Sequence, residues 1–359
     1  MNITQEHINQ QNIISHYHLY PMTKNNIFDN KYFILFSDCV LVKGDNRSTI
    51  CDLTRNKFKL IPNDLYSFVE WSNKKSGKQI KIKYKEYLSI ISEYLEFLDK
   101  NEFFFWGEKH DINRFSPLKM EFEEPFLITN SIIEINLKKI EIYTKVISEM
   151  IKHGVKIFQL RFYEKPILKQ FEHILELFLG SRVNQIEMCF SFNYQINLKQ
   201  LEKLLNKYPR VKSVFIYDTP INTIQIVPKL KKHNITFSAI KILSSQDYTN
   251  ENPANFIINN KFFFESQEHN TYFNKKLCVD YNGNVKNSPE LKESFGKINN
   301  FNFEQIANDK EFQKLWYISK NKIDICKGCE FRYVCFDVRE PKLNGNGSYY
   351  MIENCEYKK

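Results

Sequence analysis

The sequence predicts an α/β protein whose middle is a parallel sheet, either open or curled into a partial barrel. Three observations lead there. Between residues 132 and 240, β-branched and aromatic runs alternate with amphipathic helical stretches, the order that right-handed crossovers turn into parallel strands. Gly154 and Gly180 close two of the helical stretches just before the next strand begins, as a left-handed C-terminal residue does. Within the strands one parity is apolar and the other carries charge and amide groups, so the two faces of the sheet have different surroundings.

At 359 residues the chain is long enough for about two or three domains. Its patterning suggests a unit over 1–110, a barrel-like region over 125–260 and a tail over 262–359. In the first unit, residues 32–36, 39–42, 48–53 and 58–61 read as short strands, with Gly44, Asp45 and Asn46 as a turn. Pro62, Asn63 and Asp64 open a helix that buries Leu65, Phe68, Val69 and Trp71, and a second helix covers 84–98. Between them Lys74, Lys75, Lys78, Lys81, Lys83 and Lys85 read as a solvated loop and strand that could attract an acidic peptide. Such a unit has a sheet edge whose N–H and C=O groups either accept a peptide as an added strand or are capped from within the chain.

In the middle region strands are expected over 132–137, 155–162, 183–191, 211–217 and 235–240, and helices over 140–152, 166–179, 198–207 and 223–232. Ile133, Leu160, Phe162, Met188 and Ile216 belong to the parity that packs on helices. The opposite parity brings Glu134, Gln159, Arg161 and Glu187 to one face. A carboxylate there needs a partner. Either Arg161 joins Glu134 and Glu187 in an ion-pair plug, or these residues line a hydrated cavity that holds a ligand. Strand ends carry function in such sheets, which also marks Asn136, Ser191 and Asp218.

In the tail, 277–280 and Val285-Lys286 around Asn282-Gly283 read as a β-hairpin. One helix is expected over 303–318, with Phe312, Leu315 and Trp316 inward. Cys326, Cys329 and Cys335 follow, and Cys355 lies four residues from the end. Two thiolates separated by two residues can reach one metal from a tight turn, and two more complete a four-sulfur cage. A tail rich in Gly, Asn and Tyr has little core, so a cage is a plausible means of ordering it. Cys39, Cys51 and Cys189 read as small buried hydrophobes in strands.

The +9 net charge comes from 51 basic against 42 acidic residues scattered along the chain, a pattern that argues against a nucleic-acid partner. Residues 1–11 lack the pattern of a signal peptide, and no apolar run is long enough to span a bilayer. A cytoplasmic protein without a membrane partner is expected, and in a reducing compartment clustered cysteines point to metal more than to disulfides.

Cys326-x2-Cys329-x5-Cys335 followed by Cys355, and preceded by the Asn282-Gly283 hairpin, resembles the SPASM domain that follows the barrel of many radical S-adenosylmethionine peptide-modifying enzymes. That resemblance implies one four-iron four-sulfur (4Fe-4S) cluster on Cys326, Cys329, Cys335 and Cys355, with zinc as the alternative for four thiolates. Ser288 and Arg339 stand where the family carries thiols of a second cluster, so that cluster is expected to be absent. The middle region looks like the family's partial (β/α)6 barrel. The family's Cys-x3-Cys-x2-Cys triplet, which follows the first barrel strand, is missing from residues 132–139 and from the whole chain. Cleavage of S-adenosylmethionine by the usual route is therefore not expected, and no S-adenosylmethionine is expected as cofactor.

The combination resembles the SPASM-domain peptide maturases of grasp-with-spasm systems, over segments that include 126–130, 159–163 and 282–287. The first unit is similar in topology to the winged-helix-like leader-recognition modules of peptide-modifying enzymes. The implied partners are a ribosomal precursor peptide and an ATP-grasp ligase, and the implied role is accessory or that of a degenerate enzyme. Two alternatives stand beside it: a non-radical peptide-modifying enzyme using Glu134, Gln159, Arg161 and Glu187, and a zinc-stapled interaction protein.

Overall fold

The computed structural model describes residues 28–220, 233–249, 255–352, 355 and 357; residues 1–11 and the helix expected over 223–232 lie outside them. The chain divides into two compact units, Met1–Lys119 and Met120–Lys359.

In the first unit, β2 (Cys39–Val42), β3 (Ser48–Asp52) and β4 (Lys57–Ile61) form an antiparallel meander, while β1 (Tyr32–Leu35) pairs with β5 (Phe104–Gly107). Helices α1 (Asn63–Ser72), α2 (Gly77–Lys83) and α3 (Leu88–Lys100) come between β4 and β5. The core gathers Phe33, Phe68, Val69, Leu95 and Phe103, all buried, with the Phe33 ring stacked 4.4 Å from that of Phe104. The lysine run is not loop and strand as its charge suggested. It holds α2, which starts from a capping box: the Ser76 hydroxyl accepts from the Gln79 N–H at 3.3 Å and the Gln79 Oε1 accepts from the Ser76 N–H at 2.9 Å.

The second unit is built on a seven-stranded sheet of order β10-β9-β8-β7-β6-β12-β13. β6 (Asn130–Glu134), β7 (Ile157–Phe162), β8 (Gln185–Ser191), β9 (Val211–Tyr217) and β10 (Asn234–Phe237) run parallel, and β12 (Cys278–Val279) joins β6 in parallel. Only β13 (Val285–Lys286), the return arm of the hairpin, is antiparallel. This mostly parallel α/β sheet accords with a partial barrel.

Helices α4 (Ile140–Lys152), α5 (Leu168–Leu175) and α6 (Leu198–Lys207) cover the apolar parity. Ile133, Phe158, Leu160, Phe162, Ile186, Met188 and Ile216 enter one core with Tyr143, Ile147, Phe171 and Leu204. The turn after α4 needs glycine: Gly154 has φ +87°, and a Cβ there would lie 2.3 Å from the Phe126 ring.

Beyond β10 the chain carries α7 (Gln246–Thr249), β11 (Asn255–Phe256), α8 (Asn260–Glu268), α9 (Phe303–Ala307), α10 (Asp324–Lys327), β14 (Cys335–Phe336), β15 (Lys342–Leu343) and β16 (Tyr349–Tyr350). The single helix expected over 303–318 is two pieces, α9 and a 3-10 turn at Lys314–Tyr317. The break is chemical. The Asn308 amide donates to the Glu304 carbonyl at 2.8 Å, and Asp309 Oδ1 accepts from the Glu311 N–H at 2.8 Å, so side chains compete for the bonds a continuing helix would use. Among the described residues no helix is long and apolar enough to cross a membrane.

Candidate functional site

The register of the parallel strands sets the polar face. Glu134 lies beside Arg161, and Gln159 beside Glu187. The Arg161 guanidinium sits 3.0 Å from Glu290 and 3.5 Å from Glu134, and its Nε donates to Gln159 Oε1 at 2.7 Å. Glu187 is not part of that ion-pair network, contrary to the plug drawn from the sequence. It accepts instead from the amides of Gln159 at 3.1 Å and Gln185 at 2.8 Å. The missing third member is Glu290, which sequence reasoning overlooked because it follows Ser288-Pro289 in a loop with no periodicity.

Glu134 also accepts from the Tyr163 hydroxyl and, at 3.2 Å, from the Tyr281 N–H. Burial raises its carboxyl above the usual range even against Arg161, Tyr163 and that N–H. Glu290 goes the other way: burial raises it, but Arg161 and the Ser288 hydroxyl outweigh burial and leave it below the usual range. The geometry explains the split, since Arg161 is closer to Glu290 and Glu134 is the more buried of the two.

This ion triad stands between two cavities. One of about 520 Å³ opens at the N-terminal ends of β6, β7 and β8 and is lined by Gln159, Arg161, Glu187, Glu265, Lys276 and Glu290 among others. The other, of about 600 Å³, lies at the strand C-termini against Glu134, Tyr163, Glu164, Tyr281 and again Glu290. The face is thus plugged at its middle and hollow on both sides. Of the other strand-end residues, Asn136 accepts from the Lys138 N–H at 3.0 Å, Ser191 is buried, and Asp218 takes φ +56°.

Glu265, on α8, accepts from the Asn274 amide at 2.8 Å. Burial pushes its carboxyl up to about 7. An unfolded glutamate titrates near ~4.3, so the folded chain holds this proton more tightly, and the resulting stability is complete below that value and lost as pH rises toward 7. Glu265→Gln is expected to stabilise the protein at pH 8 by about 1–2 kcal/mol, a figure reduced for partial solvent contact, and to change nothing at pH 4. Urea unfolding at the two pH values measures it.

The four tail cysteines lie in one neighbourhood. Cys326 is in α10, Cys329 follows it with its N–H on the Cys326 carbonyl at 2.9 Å, and Cys335 begins β14. Burial pushes the Cys326 thiol up to about 11 and the Cys335 thiol up to about 12, with Asp337 and Cys329 adding to both and Lys320 opposing them. Cys355 and Cys326 both act on Arg339. The Phe331 N–H donates to Cys329 Sγ at 3.4 Å, and Lys320, paired with Asp337 at 3.4 Å and near Cys335 and Cys326, lies above its ordinary range despite burial. An N–H donated to one sulfur and an ammonium near two others both suit thiolate ligands, so the donor chemistry fits an iron–sulfur or zinc centre. As placed, no group of three or more His, Cys, Asp or Glu residues stands at metal-holding distance among the described residues.

The two positions where the resemblance expects further thiols have other occupations. Ser288 exchanges a hydrogen bond with Tyr272 at 3.1 Å and donates to Glu290; Arg339 pairs with Asp337 at 2.7 Å. Cys39, Cys51, Cys189 and Cys278 are buried, and burial pushes Cys39 and Cys278 up to about 12 and Cys51 to about 11.

No family model matches the chain. No curated protein matches it either. Among solved structures, three align with it: Streptococcus suis SuiB, SuiB bound to precursor peptide SuiA and SuiB bound to S-adenosylmethionine. They cover 84%, 85% and 85% of this chain and 94% of theirs, at 8%, 7% and 8% identity and TM-scores of 0.28, 0.28 and 0.29. A likeness at that score decides neither ligand nor chemistry.

Proposed function

We propose that this chain takes part in maturing a ribosomally made peptide, binding the precursor and cooperating with an ATP-grasp ligase without cleaving S-adenosylmethionine. The observation that carries the reading is the polar face of the parallel sheet, hollowed into cavities of about 520 and 600 Å³, a size suited to several residues of a bound chain. No cysteine lies between β6, the first strand of the parallel series, and β7.

The first unit supports a leader-recognition role. In its meander β2 and β4 are edge strands, and β4 exposes Lys59 and Leu60, so a peptide could extend the sheet by main-chain pairing. Cys326, Cys329, Cys335 and Cys355 are the residues that would hold one 4Fe-4S cluster. When bound, the cluster supplies a rigid cross-link and a redox centre. Because the buried thiols hold their protons tightly, loading releases protons and weakens as pH falls.

Two measurements test this. Full-length protein prepared without oxygen is expected to bind, saturably by fluorescence polarisation, a precursor peptide encoded beside its gene; absence of binding overturns the role. Metal analysis is expected to give about four iron and four sulfide per chain, falling to background in Cys329→Ser. A colourless protein with one zinc replaces the iron–sulfur assignment with the zinc staple.

A non-radical enzyme using the lumen is the second reading, favoured by the buried, raised Glu134 carboxyl beside the C-terminal cavity. It requires a mass change in the peptide that disappears in Glu134→Gln and survives loss of the cysteines.

A further inference from the structure

We propose that the cavity at the N-terminal ends of β6, β7 and β8 binds a carboxylate borne on an apolar body, with Lys276 as the anion-binding group. The site shares this cavity with the proposed peptide role, but its test with small probes does not depend on that role.

Lys276 is 6% exposed and lines this cavity of about 520 Å³. Its ammonium lies 3.2 Å from the centroid of the Tyr272 ring. Among the described residues that ammonium has neither an ion pair within 4 Å nor a hydrogen bond; it touches the Tyr272 face, and Cys278, Glu290 and Glu265 act on it from further away. A buried cation in that condition is costly, and an incoming anion recovers much of the cost.

The other cations on the walls are paired with carboxylates, and the wall carboxylates all have hydrogen-bond donors. Arg161 is held by Glu134 and Glu290, and Lys261 pairs with Glu124 at 3.2 Å. Glu187 is satisfied by two amides, Glu265 by Asn274, and Glu290 by Arg161 and Ser288. Among the described residues Lys276 is therefore the lining cation without a carboxylate at ion-pair distance. Phe122, Ile132, Ile157, Ile257, Phe336 and Val338 supply apolar wall, which selects a carboxylate attached to a hydrophobic group over a small hydrated anion.

The test uses the full chain and two small probes with the same body, N-acetylphenylalanine and its neutral amide, titrated by calorimetry at pH 7. The acid is expected to bind at least about tenfold more tightly than the amide, as a desolvated charge-assisted pair requires. Lys276→Met is expected to erase the difference and Lys276→Arg to keep it. Equal affinity for acid and amide, or no heat from either at millimolar concentration, overturns the assignment. So does an undiminished preference in a Lys276→Met protein whose circular dichroism shows it folded.

If Lys276→Met does not fold, the wild-type protein decides through acetic anhydride labelling and peptide mass mapping. Protection of Lys276 by the acid and not by the amide supports the site, and equal labelling under both overturns it.

Discussion

Replacing Arg161 by methionine is expected to destabilise the Met120–Lys359 unit by about 3–5 kcal/mol, because it strands two buried carboxylates. Arg161 is 4% exposed and Glu134 2%, and the guanidinium is the cation that both Glu134 and Glu290 face. Methionine fills similar volume, so the loss reports charge more than packing. The variant should also gain a pH dependence. Without the guanidinium both folded carboxyls move above their unfolded values, and a raised carboxyl contributes stability that is present at low pH and lost as pH rises. The Arg161→Met deficit should therefore shrink between pH 8 and pH 5. Hydrogen exchange of β6 and β7 peptides, read by mass spectrometry at both pH values, isolates this unit; a deficit that is small or flat with pH would remove the ion triad from the stability of the sheet.

Phe162→Ala is expected to cost about 3–5 kcal/mol at every pH, the usual range for a large aromatic removed from a closed core. The Phe162 ring is fully buried, stands edge-on to Phe171 at 5.2 Å, and pairs across the sheet with Phe190. Its carbonyl also accepts from the Tyr217 hydroxyl, a backbone contact that the substitution leaves in place, so the loss should come from the cavity alone. The same exchange experiment across β7, β8 and β9 measures it, and the lack of pH dependence separates it from the Arg161 variant.

Periodicity made much of the second unit legible. Helices Ile140–Lys152 and Leu198–Lys207 and strand Val211–Tyr217 match their expected bounds, because an apolar stripe at helical spacing or a strict alternation is a signal each residue repeats. Where the sequence misled, a local side-chain bond outweighed the pattern. Asn308 and Asp309 broke a helix whose apolar spacing ran on through Trp316. In the lysine run charge drew attention away from Ser76 and Gln79, a capping signature that was present in the letters.

The candidate site was half legible. Alternation brought Glu134, Gln159, Arg161 and Glu187 to one face, but period-two reasoning says nothing of what arrives from loops. Glu290 and Lys276 come to the site from the hairpin region, far from β7 in sequence. Only tertiary structure could supply them. Strand alternation likewise could not separate Glu187, which amides satisfy, from Glu134, which a guanidinium faces.

Strand β14 is two residues long, and each has a different neighbour. Cys335 faces the tail thiols, while Phe336 forms part of the wall of the 520 Å³ cavity and packs 5.8 Å from the Tyr272 ring, the ring that holds Lys276. Any ion that tethers Cys335 would restrict the wall one residue away, and any ligand that presses on Phe336 would restrict the thiol. Where the two occupants do couple, linkage requires each to alter the other's affinity by the same factor.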